Sequence, residues 1–490
     1  MKASLSRRDF LRAASLLGAA SVLAACGSQA GDPQIQDSGG QRHIKILATN
    51  DEHGWLEQGR DYGGADSLMY QWVQQEKILE DPAHHLILSG GDLYTGPALS
   101  TWFKGESAVD IMNAMGYQAA AIGNHDFDYG LDNLRLRSAQ AAFPFLSANL
   151  RQKADGAVPD FVQPYVIKAV NGIKIGLVGL TTRETPVDTK PAHVAGLDFL
   201  HYDTALKEVV PQVRQAGADL ILILGHFCTS EMRSLASLAH ALDIPLIFGG
   251  HCHEVTNETV DGVLLVQSGA FMRGYTRVDL VFDLSTRQVV SLEAGFHENQ
   301  PGMLDRALSD RIAGWRSRSD PDLWHQIGYA RQNISRRSTA MAHLLGKAWL
   351  ASVPGAQVAL AEPRYIQNLP AGEITPASVI GMLAPEDVLI DVELTGSRLV
   401  EIIQAHQPLL GGLLEKGGYF FPDGQPLDLE AAYHVLVPDD IYAGCQGYPF
   451  EQVALSARDT GLGWREPVIA WIKAQKTSWI NPLENLLEES

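Results

Sequence analysis

The chain has 490 residues, which is enough for two or three domains with full hydrophobic cores. Its 38 Lys and Arg residues against 57 Asp and Glu residues give a net charge of −19 and a pI near 5.2. Such an acidic surface repels nucleic acid polymers and anionic lipid, so it excludes a general polyanion-binding protein. With 46% hydrophobic and 19% charged residues, the composition also excludes a largely disordered chain.

Residues 1–26 are predicted to be an export signal. Arg7-Arg8 precedes a weakly apolar stretch, residues 11–25, that is too short to span a bilayer. The paired arginines resemble a twin-arginine signal, and Leu23-Ala24-Ala25-Cys26-Gly27 resembles a bacterial lipobox. An ordinary secretory signal with a chance cysteine is the alternative. We therefore expect a protein anchored at the bacterial cell envelope through a lipid on Cys26, with residues 27–42 as a flexible tether.

Three further cysteines follow, Cys228, Cys252 and Cys445. An odd number without regular spacing does not indicate a disulfide framework, although export leads to an oxidising compartment. We expect single thiols that pack in the protein interior.

From residue 43 onward, apolar runs alternate with amphipathic stretches, a pattern typical of a layered α/β domain. The predicted strands span residues 44–49, 85–89, 119–122, 220–224 and 246–248. The predicted helices span residues 66–79, 107–115 and 202–216. Asn171-Gly172 predicts a two-residue turn between strands 166–170 and 173–180. Alternating runs at 263–267, 277–282 and 289–295 predict a β-rich end to this domain.

Two domains are expected, with boundaries placed where the composition changes. The first covers residues 43–303. Polar, irregular sequence then surrounds a predicted linker helix, which extends over residues 304–323 within a linker of residues 304–333. A second, smaller mixed α/β domain covers residues 334–490.

Five polar segments, most of them directly after a predicted strand, contain residue types that bind metals. They are Thr49-Asn50-Asp51-Glu52-His53-Gly54, Gly90-Gly91-Asp92, Gly123-Asn124-His125-Asp126-Phe127-Asp128, Gly225-His226 and Gly249-Gly250-His251-Cys252-His253. Ligands bind at this edge of an open α/β sheet. An Asp-x-His pattern is expected by chance in such a chain, whereas Gly-Asn-His-Asp is rare. The five segments together are therefore a strong signal for a site.

The spacing within two segments suggests how the ligands are presented. Asp51 and His53 are two residues apart, so an extended backbone would project both to one face, and the same holds for His251 and His253. Cys252 would then point away from the ligands. Carboxylate, amide and imidazole ligands suit Zn²⁺, Mn²⁺ or Fe²⁺, and they do not select among these ions.

The number of ligands indicates two metal ions. Seven candidate ligands exceed the needs of one tetrahedral ion and fit two ions that share a bridging carboxylate. Two ions about 3.5–4 Å apart can hold both the attacking and the leaving oxygen of a phosphoryl transfer. Asn124 is a weak ligand that leaves room for solvent or substrate, so a catalytic centre is favoured over a structural one.

These segments resemble those of calcineurin-like metallophosphoesterases, in particular the bacterial 5'-nucleotidase/UDP-sugar hydrolase family. The resemblance extends to Met115-Gly116-Tyr117, Val178-Gly179-Leu180-Thr181-Thr182, Val266-Gln267-Ser268-Gly269, Pro370-Ala371-Gly372-Glu373-Ile374-Thr375 and Leu394-Thr395-Gly396. It implies a four-layer α/β/β/α metallophosphoesterase domain over residues 43–303. It also implies a 5'-nucleotidase C-terminal-like domain over residues 334–490.

The resemblance also implies roles for individual residues. One divalent ion would be held by Asp51, His53 and His253, the other by Asn124, His226 and His251, with Asp92 bridging the two. His125 and Asp128 would form the catalytic pair, while a metal-bridging hydroxide attacks the phosphorus of a nucleoside monophosphate or UDP-sugar. Glu52 and Asp126 are expected to be solvated or supporting carboxylates.

The second domain departs from the family pattern where the substrate binds. The family has an arginine where Ile366 stands, so Arg364 is the expected shifted phosphate contact. The late Gly-Gly-Asp-Gly of the family appears as Gly444-Cys445-Gln446-Gly447. Tyr448 and Phe450 are the aromatic residues nearest to it that could stack on a base, and both could equally be core residues.

The leading hypothesis is an exported dinuclear phosphoesterase that acts on a small phosphorylated substrate and not on a nucleic acid polymer. The alternative enzyme is a thiosulfohydrolase similar to those of sulfur oxidation, which use the same scaffold to hydrolyse a protein-bound thiosulfonate. A surface lipoprotein that binds without turnover is a third hypothesis. The intact pair His125 and Asp128 disfavours it.

Overall fold

The computed structural model describes residue 37, residues 39–59 and residues 62–487. The predicted signal, Cys26 and most of the predicted tether lie outside these residues. No helix in the described part of the chain is both long enough and apolar enough to cross a membrane.

The first domain follows the predicted alternation of strands and helices. Its strands are β1 (Gln41–Thr49), β2 (His85–Ser89), β3 (Ala119–Ala121), β4 (Phe145–Leu146), β5 (Leu150–Gln152), β6 (Tyr165–Val170), β7 (Ile173–Thr181), β8 (Leu197–Phe199), β9 (Leu220–His226), β10 (Leu246–Phe248), β11 (Val255–Val260), β12 (Val263–Ser268), β13 (Gly274–Asp283) and β14 (Gln288–Glu298). Its helices are α1 (Ala65–Gln71), α2 (Ala98–Thr101), α3 (Glu106–Met115), α4 (Gly130–Gln140), α5 (Thr185–Asp188), α6 (Pro191–Val194), α7 (Tyr202–Gln215) and α8 (Thr229–Ala241). Single turns of 3₁₀ or π helix occur at Trp72–Glu76, Pro82–His84 and His125–Phe127.

Two six-stranded sheets form the centre of this domain. The first has the order β14-β13-β1-β2-β3-β4 and the second β11-β12-β10-β9-β7-β6. β1 to β4 are mutually parallel, as are β7, β9, β10 and β12. β1 begins at Gln41 and pairs with β13, so the last two residues of the predicted tether belong to the sheet.

Alternation along the strands divides the core into layers. In β1, Ile44, Ile46 and Ala48 face the apolar layer between the two sheets, whereas Leu47 faces the helices on the outer side. In β9, Leu222 lies in the shared layer and Ile223 packs against the helices of the other side. The predicted α/β/β/α arrangement is therefore confirmed.

The predicted linker helix is the start of a well-packed region. Helix α9 (Arg306–Arg318) places Leu308, Ile312 and Trp315 in the same core as α3. Asp110 of α3 accepts hydrogen bonds from the Arg311 guanidinium, at 2.6 Å, and from the Trp315 indole, at 2.8 Å. Residues 306–318 are thus fixed on the first domain.

The second domain is mixed α/β, as predicted, and its first strand lies inside the predicted linker. Its strands are β15 (Gly328–Ala330), β16 (Val358–Ala361), β17 (Gly372–Ile374), β18 (Val388–Thr395), β19 (Leu409–Gly411), β20 (Leu414–Glu415), β21 (Tyr419–Phe420), β22 (Ala432–Pro438) and β23 (Ser456–Gly463). Its helices are α10 (Thr339–Ser352), α11 (Pro376–Met382), α12 (Gly396–His406), α13 (Asp439–Tyr442), α14 (Phe450–Val453) and α15 (Arg465–Gln475). Short 3₁₀ turns occur at Pro321–Trp324, Pro363–Tyr365, Cys445–Gly447 and Leu483–Leu486. The central sheet has the order β19-β16-β22-β18-β23.

Candidate metal centre

The seven predicted metal ligands all lie where strands of the two central sheets end. Asp51 and His53 follow β1, Asp92 follows β2 and Asn124 follows β3, all in the first sheet; His226 ends β9, and His251 and His253 follow β10, in the second sheet. Because both sets of parallel strands end at the same rim, side chains from the two sheets converge there. The structure brings all seven together.

Asp51, His53 and His253 form the first ligand group, with their ligand atoms within 4.8 Å of one another. The His53 Nδ1–H donates to the Thr95 carbonyl at 2.9 Å, so His53 Nε2 presents a lone pair. That nitrogen lies 3.3 Å from His253 Nε2, which is itself 3.3 Å from Asp51 Oδ1. Three electron-pair donors this close to one another fit a shared cation.

Asp92, His226 and His251 form the second ligand group. The His226 Nδ1–H donates to the Gly90 carbonyl at 2.8 Å, so its Nε2 faces the other ligands and presents a lone pair once the ring is neutral. This Nε2 lies 3.1 Å from Asp92 Oδ2 and 3.2 Å from Asn124 Oδ1. The donor set therefore fits a divalent ion as well.

Asp92 lies between the two groups. Its Oδ2 atom is 3.1 Å from His226 Nε2 and 3.7 Å from His53 Nε2. Its other oxygen, Oδ1, accepts the His125 backbone N–H at 2.8 Å. One carboxylate thus reaches both groups, as a bridging ligand must.

Electrostatics also suit cation binding. Burial lowers the pKa of His53 to about 4, which keeps this imidazole neutral and able to coordinate. For His226, burial opposes the charged form, but the nearby Asp92 and Asp51 carboxylates outweigh it and raise the pKa to about 9. A cation in the second group would take the place of that proton, so binding should release protons.

The prediction that extended backbone aligns these ligands is wrong. Asp51, His53, His251 and His253 have φ values of 51°, 47°, 74° and 56°, all in the left-handed region. His251 and His253 consequently point to different groups. The ligands are presented by tight loops and not by strand pleating.

His125 and Asp128, the predicted catalytic pair, are hydrogen-bonded to each other. His125 Nδ1 lies 2.9 Å from Asp128 Oδ2, and the Thr189 hydroxyl donates to Asp128 Oδ1 at 3.2 Å. The His125 ring is 5.4 Å from the His53 ring, centre to centre. Burial alone would lower the pKa of His125, but Asp128 and Asp92 outweigh it and raise the pKa to about 10. In the metal-free protein, these carboxylates therefore favour the protonated imidazole of His125 beside the first ligand group.

Glu52 and Asp126, expected to be solvated or supporting carboxylates, are fully buried. Asp126 accepts the Gly123 N–H at 2.9 Å and the Leu93 N–H at 2.9 Å, which ties the loop after β2 to the loop after β3. Glu52 accepts the Ser89 hydroxyl at 2.8 Å and the Thr49 hydroxyl. Both carboxylates therefore support the ligand loops from inside the protein.

Residue patterns gave no signal for several other contacts. The Asn50 amide donates to Asp51 Oδ2 at 2.6 Å and fixes that carboxylate. Glu184, Asp188 and His251 form a third group of possible ligands at the rim. Phe271 packs its ring 4.9 Å from that of His253.

The prediction of single thiols is wrong for two of the cysteines. Cys228 and Cys252 form a disulfide with a Cα–Cα distance of 5.1 Å. Because β9 and β10 are adjacent in the second sheet, the residues beyond their ends come within reach of each other. Cys445 is a buried free thiol, as predicted.

The expected substrate contacts lie in the second domain. Tyr448 is 2% exposed, and its ring stacks on His406 at 4.1 Å and on Phe450 at 5.6 Å. Phe450 is fully buried in the same core. Arg364 is exposed and donates a hydrogen bond to the Gln446 side chain. In this conformation, the two aromatic rings pack within their own domain.

Contacts between the domains reach the predicted catalytic pair. The Cys445 thiol donates to the Thr189 carbonyl at 3.1 Å, and the Gln446 amide donates to Asp188 at 2.7 Å. The Lys190 ammonium pairs with buried Asp387 at 2.9 Å and with Asp439 at 3.0 Å. The second domain therefore rests on the segment that orients Asp128.

Comparison with known proteins agrees with this architecture. The family model for calcineurin-like phosphoesterases matches residues 44–255. A snake venom 5'-nucleotidase from Gloydius brevicauda is 37% identical over 224 residues, which cover 43% of this chain and 37% of that protein. The chain thus spans less than half the length of that relative.

Two further similarities extend over both domains, one in sequence and one in fold. A 5'-nucleotidase of Vibrio cholerae is 25% identical over 504 aligned residues, which cover 89% of this chain and 91% of that protein. The crystal structure of a 5'-nucleotidase precursor from Thermus thermophilus has a TM-score of 0.78 at 21% identity, and covers 89% of this chain and 97% of its own. The chain therefore contains a calcineurin-like phosphoesterase domain and has homologues among the 5'-nucleotidases.

Proposed function

We propose that this chain is an exported phosphomonoesterase that uses two divalent metal ions and acts on small 5'-nucleotide-like or sugar-nucleotide substrates. The observation that supports this most is the position of Asp92. Its Oδ2 reaches both ligand groups, and its Oδ1 holds the backbone of His125. The carboxylate suited to bridge two ions thus also fixes the catalytic imidazole beside them.

The residues of the chain have separate tasks in this reaction. The ligands of the two groups would hold two divalent ions, which when bound supply Lewis acidity to phosphoryl oxygens and to the attacking water. His125 directs Nδ1 to Asp128, so its Nε2–H is free to donate a proton to the leaving alkoxide. Asp128 keeps the imidazole charged, and Thr189 orients Asp128.

Release of inorganic phosphate tests the proposal. Protein stripped with a chelator and reloaded with Mn²⁺ or Zn²⁺ should hydrolyse AMP, UDP-glucose or an aryl phosphate. The matched control is Asp160→Asn, an exposed carboxylate far along the chain from the ligands. Absence of turnover with two bound ions would refute the enzyme proposal and would favour a binding lipoprotein.

A second candidate is hydrolysis of a thiosulfonate on a carrier protein. The internal stack of Tyr448 on His406 favours it, because that aromatic face is not offered to a nucleobase. Sulfate release from a cysteine S-thiosulfonate, with no phosphate release from nucleotides, would support this candidate over the first.

Export and lipid anchoring are part of the proposal and rest on residues 1–26. Expression with radiolabelled palmitate should label the full-length chain in the membrane fraction. Cys26→Ala should abolish the label, and an unlabelled parent chain would contradict lipidation.

A further inference from the structure

The Cys228–Cys252 disulfide lies among the metal ligands. Cys252 stands between His251 and His253, which belong to different ligand groups, and Cys228 follows His226 by two residues. The bond therefore joins the two loops of the second sheet that carry all three of these imidazoles. A covalent link placed there acts directly on the geometry of both groups.

The loop after β10 adopts a backbone that needs support. His251 and His253 have φ values of 74° and 56°. Left-handed backbone is unfavourable for residues with a Cβ, and it persists only where the surroundings fix it. His251 and His253 belong to different ligand groups, and the position of each imidazole thus depends on the backbone on either side of Cys252.

Other contacts hold the two ends of this loop. The Gly250 N–H donates to the Phe227 carbonyl at 3.1 Å, and the His251 N–H donates to Asp51 Oδ2 at 2.9 Å. Cys252 and His253 are exposed. At the other end, the Gly269 N–H donates to the Glu254 carbonyl at 2.8 Å, directly before β11. Between these two ends, the disulfide attaches Cys252 to the segment that follows β9.

We propose that the Cys228–Cys252 disulfide is a positioning element of the metal centre, which holds His251 and His253 so that their loop supplies one imidazole to each ligand group. The inference rests on the proposed function only in that the ligand groups bind divalent ions. Without the bond, the loop relaxes toward right-handed backbone and both groups lose a ligand. Metal affinity therefore depends on the oxidation state of the two sulfurs.

A reductant can reach the bond, because Cys252 is exposed and Cys228 is half-buried. A dithiol breaks the S–S bond by exchange: two electrons and two protons pass to the two sulfurs, and the dithiol becomes a cyclic disulfide. The folded protein would then hold two free thiols beside the site.

The test compares Mn²⁺ binding by the wild type and by Cys228→Ser/Cys252→Ser. Cys228 caps helix α8, where its sulfur faces the Glu231 N–H and its own N–H donates to the Glu231 carboxylate. Serine is a good cap, so the double variant removes the bond and keeps the helix start. We expect Mn²⁺ to bind about 10- to 100-fold more weakly, the range seen when a residue supporting a metal ligand is lost.

The electron paramagnetic resonance spectrum of bound Mn²⁺ provides a second readout. Loss of a crosslink that only stabilises the fold would not change this spectrum. Two neighbouring Mn²⁺ ions in the wild type should give a spin-coupled spectrum, which the double variant should lose at the same Mn²⁺ concentration. Wild type reduced with dithiothreitol and desalted should behave like the double variant, and reoxidation should restore the coupled spectrum. Ser234→Ala, exposed on the same helix, should leave binding unchanged.

The results separate this inference from the proposed function. Equal Mn²⁺ affinity in the folded wild type and double variant would overturn the inference, even if the double variant unfolds at a lower temperature. Tight binding of two ions by the wild type and weak binding by the double variant would support it, even if no phosphoester is hydrolysed.

Discussion

Replacing Glu52 by glutamine should stabilise the metal-free protein at high pH and not at low pH. Burial raises the pKa of Glu52 from 4.5 to about 8, and the hydrogen bonds from Thr49 and Ser89 offset only part of this effect. The folded state thus holds the proton more tightly than the unfolded state does. The stability that this proton contributes is fully present below pH 4.5 and is lost as the pH rises toward 8.

The size of this change in the free energy of unfolding follows from the shift in the pKa of Glu52. At about 1.36 kcal/mol per pKa unit, the whole window is worth about 5 kcal/mol, of which about 3 to 4 kcal/mol falls between pH 5 and pH 8. Glu52→Gln removes this dependence, and its amide can donate to one hydroxyl and accept from the other. The free energy of unfolding should therefore rise, relative to the wild type, by about 3 to 4 kcal/mol more at pH 8 than at pH 5.

Urea denaturation in the presence of a chelator, followed at both pH values, measures the difference. Glu80→Gln is the matched control, because Glu80 is exposed and pairs with Lys77 at the surface. It should show less than about 1 kcal/mol at either pH. An equal effect of Glu52→Gln at pH 5 and pH 8 would refute the argument that burial keeps this carboxyl protonated.

Three more substitutions test the site and the domain contact. Asp92→Asn should reduce the bound Mn²⁺ from two ions to one and slow phosphate release roughly 100-fold or more; retention of both ions would argue against a bridging role. His125→Gln should lower kcat by about 10²- to 10⁴-fold and leave Mn²⁺ binding intact, so a parallel loss of metal would contradict its assignment as general acid. Lys190→Ala leaves the charge of Asp387 buried without its partner and should lower the free energy of unfolding by about 3 kcal/mol in a denaturant titration. Lys207→Ala, which removes an exposed ion pair, should cost less than about 1 kcal/mol, and equal effects of the two would refute the argument from burial.

Chain order and residue type sufficed to predict which side chains meet at the metal centre. Asp51, Asp92 and Asn124 each follow a buried strand of the first sheet, and parallel strands end at a common edge. The pattern of apolar runs locates those ends to within a few residues. Convergence of the ligands therefore needs no knowledge of the loops between them.

The sequence patterns could not predict the backbone conformation of the ligand loops or the pairing of the cysteines. A two-residue spacing suits an extended strand, and no local pattern shows that His251 and His253 take left-handed φ values instead. Cys228 and Cys252 are 24 residues apart, and they meet only because β9 and β10 are neighbours in the sheet. Strand order is a property of the folded sheet, so the disulfide becomes visible only in three dimensions.

Packing within the second domain was equally hidden. Tyr448 and Phe450 follow a glycine-rich turn, a pattern that fits a binding loop as well as a core. Tyr448 stacks on His406, the last residue of α12, and Phe450 stacks on Tyr448, so both contacts depend on how α12 packs against that turn. Long-range packing of this kind leaves no periodic trace in the sequence.

Each ligand group combines residues from both sheets. In the first group, Asp51 and His53 come from the first sheet and His253 from the second. In the second group, Asp92 comes from the first sheet and His226 from the second. Neither group of candidate ligands is therefore complete until the two central sheets of the first domain have packed together. We therefore expect metal binding to follow assembly of the two sheets, so the ions available where folding finishes would determine which metal the protein carries.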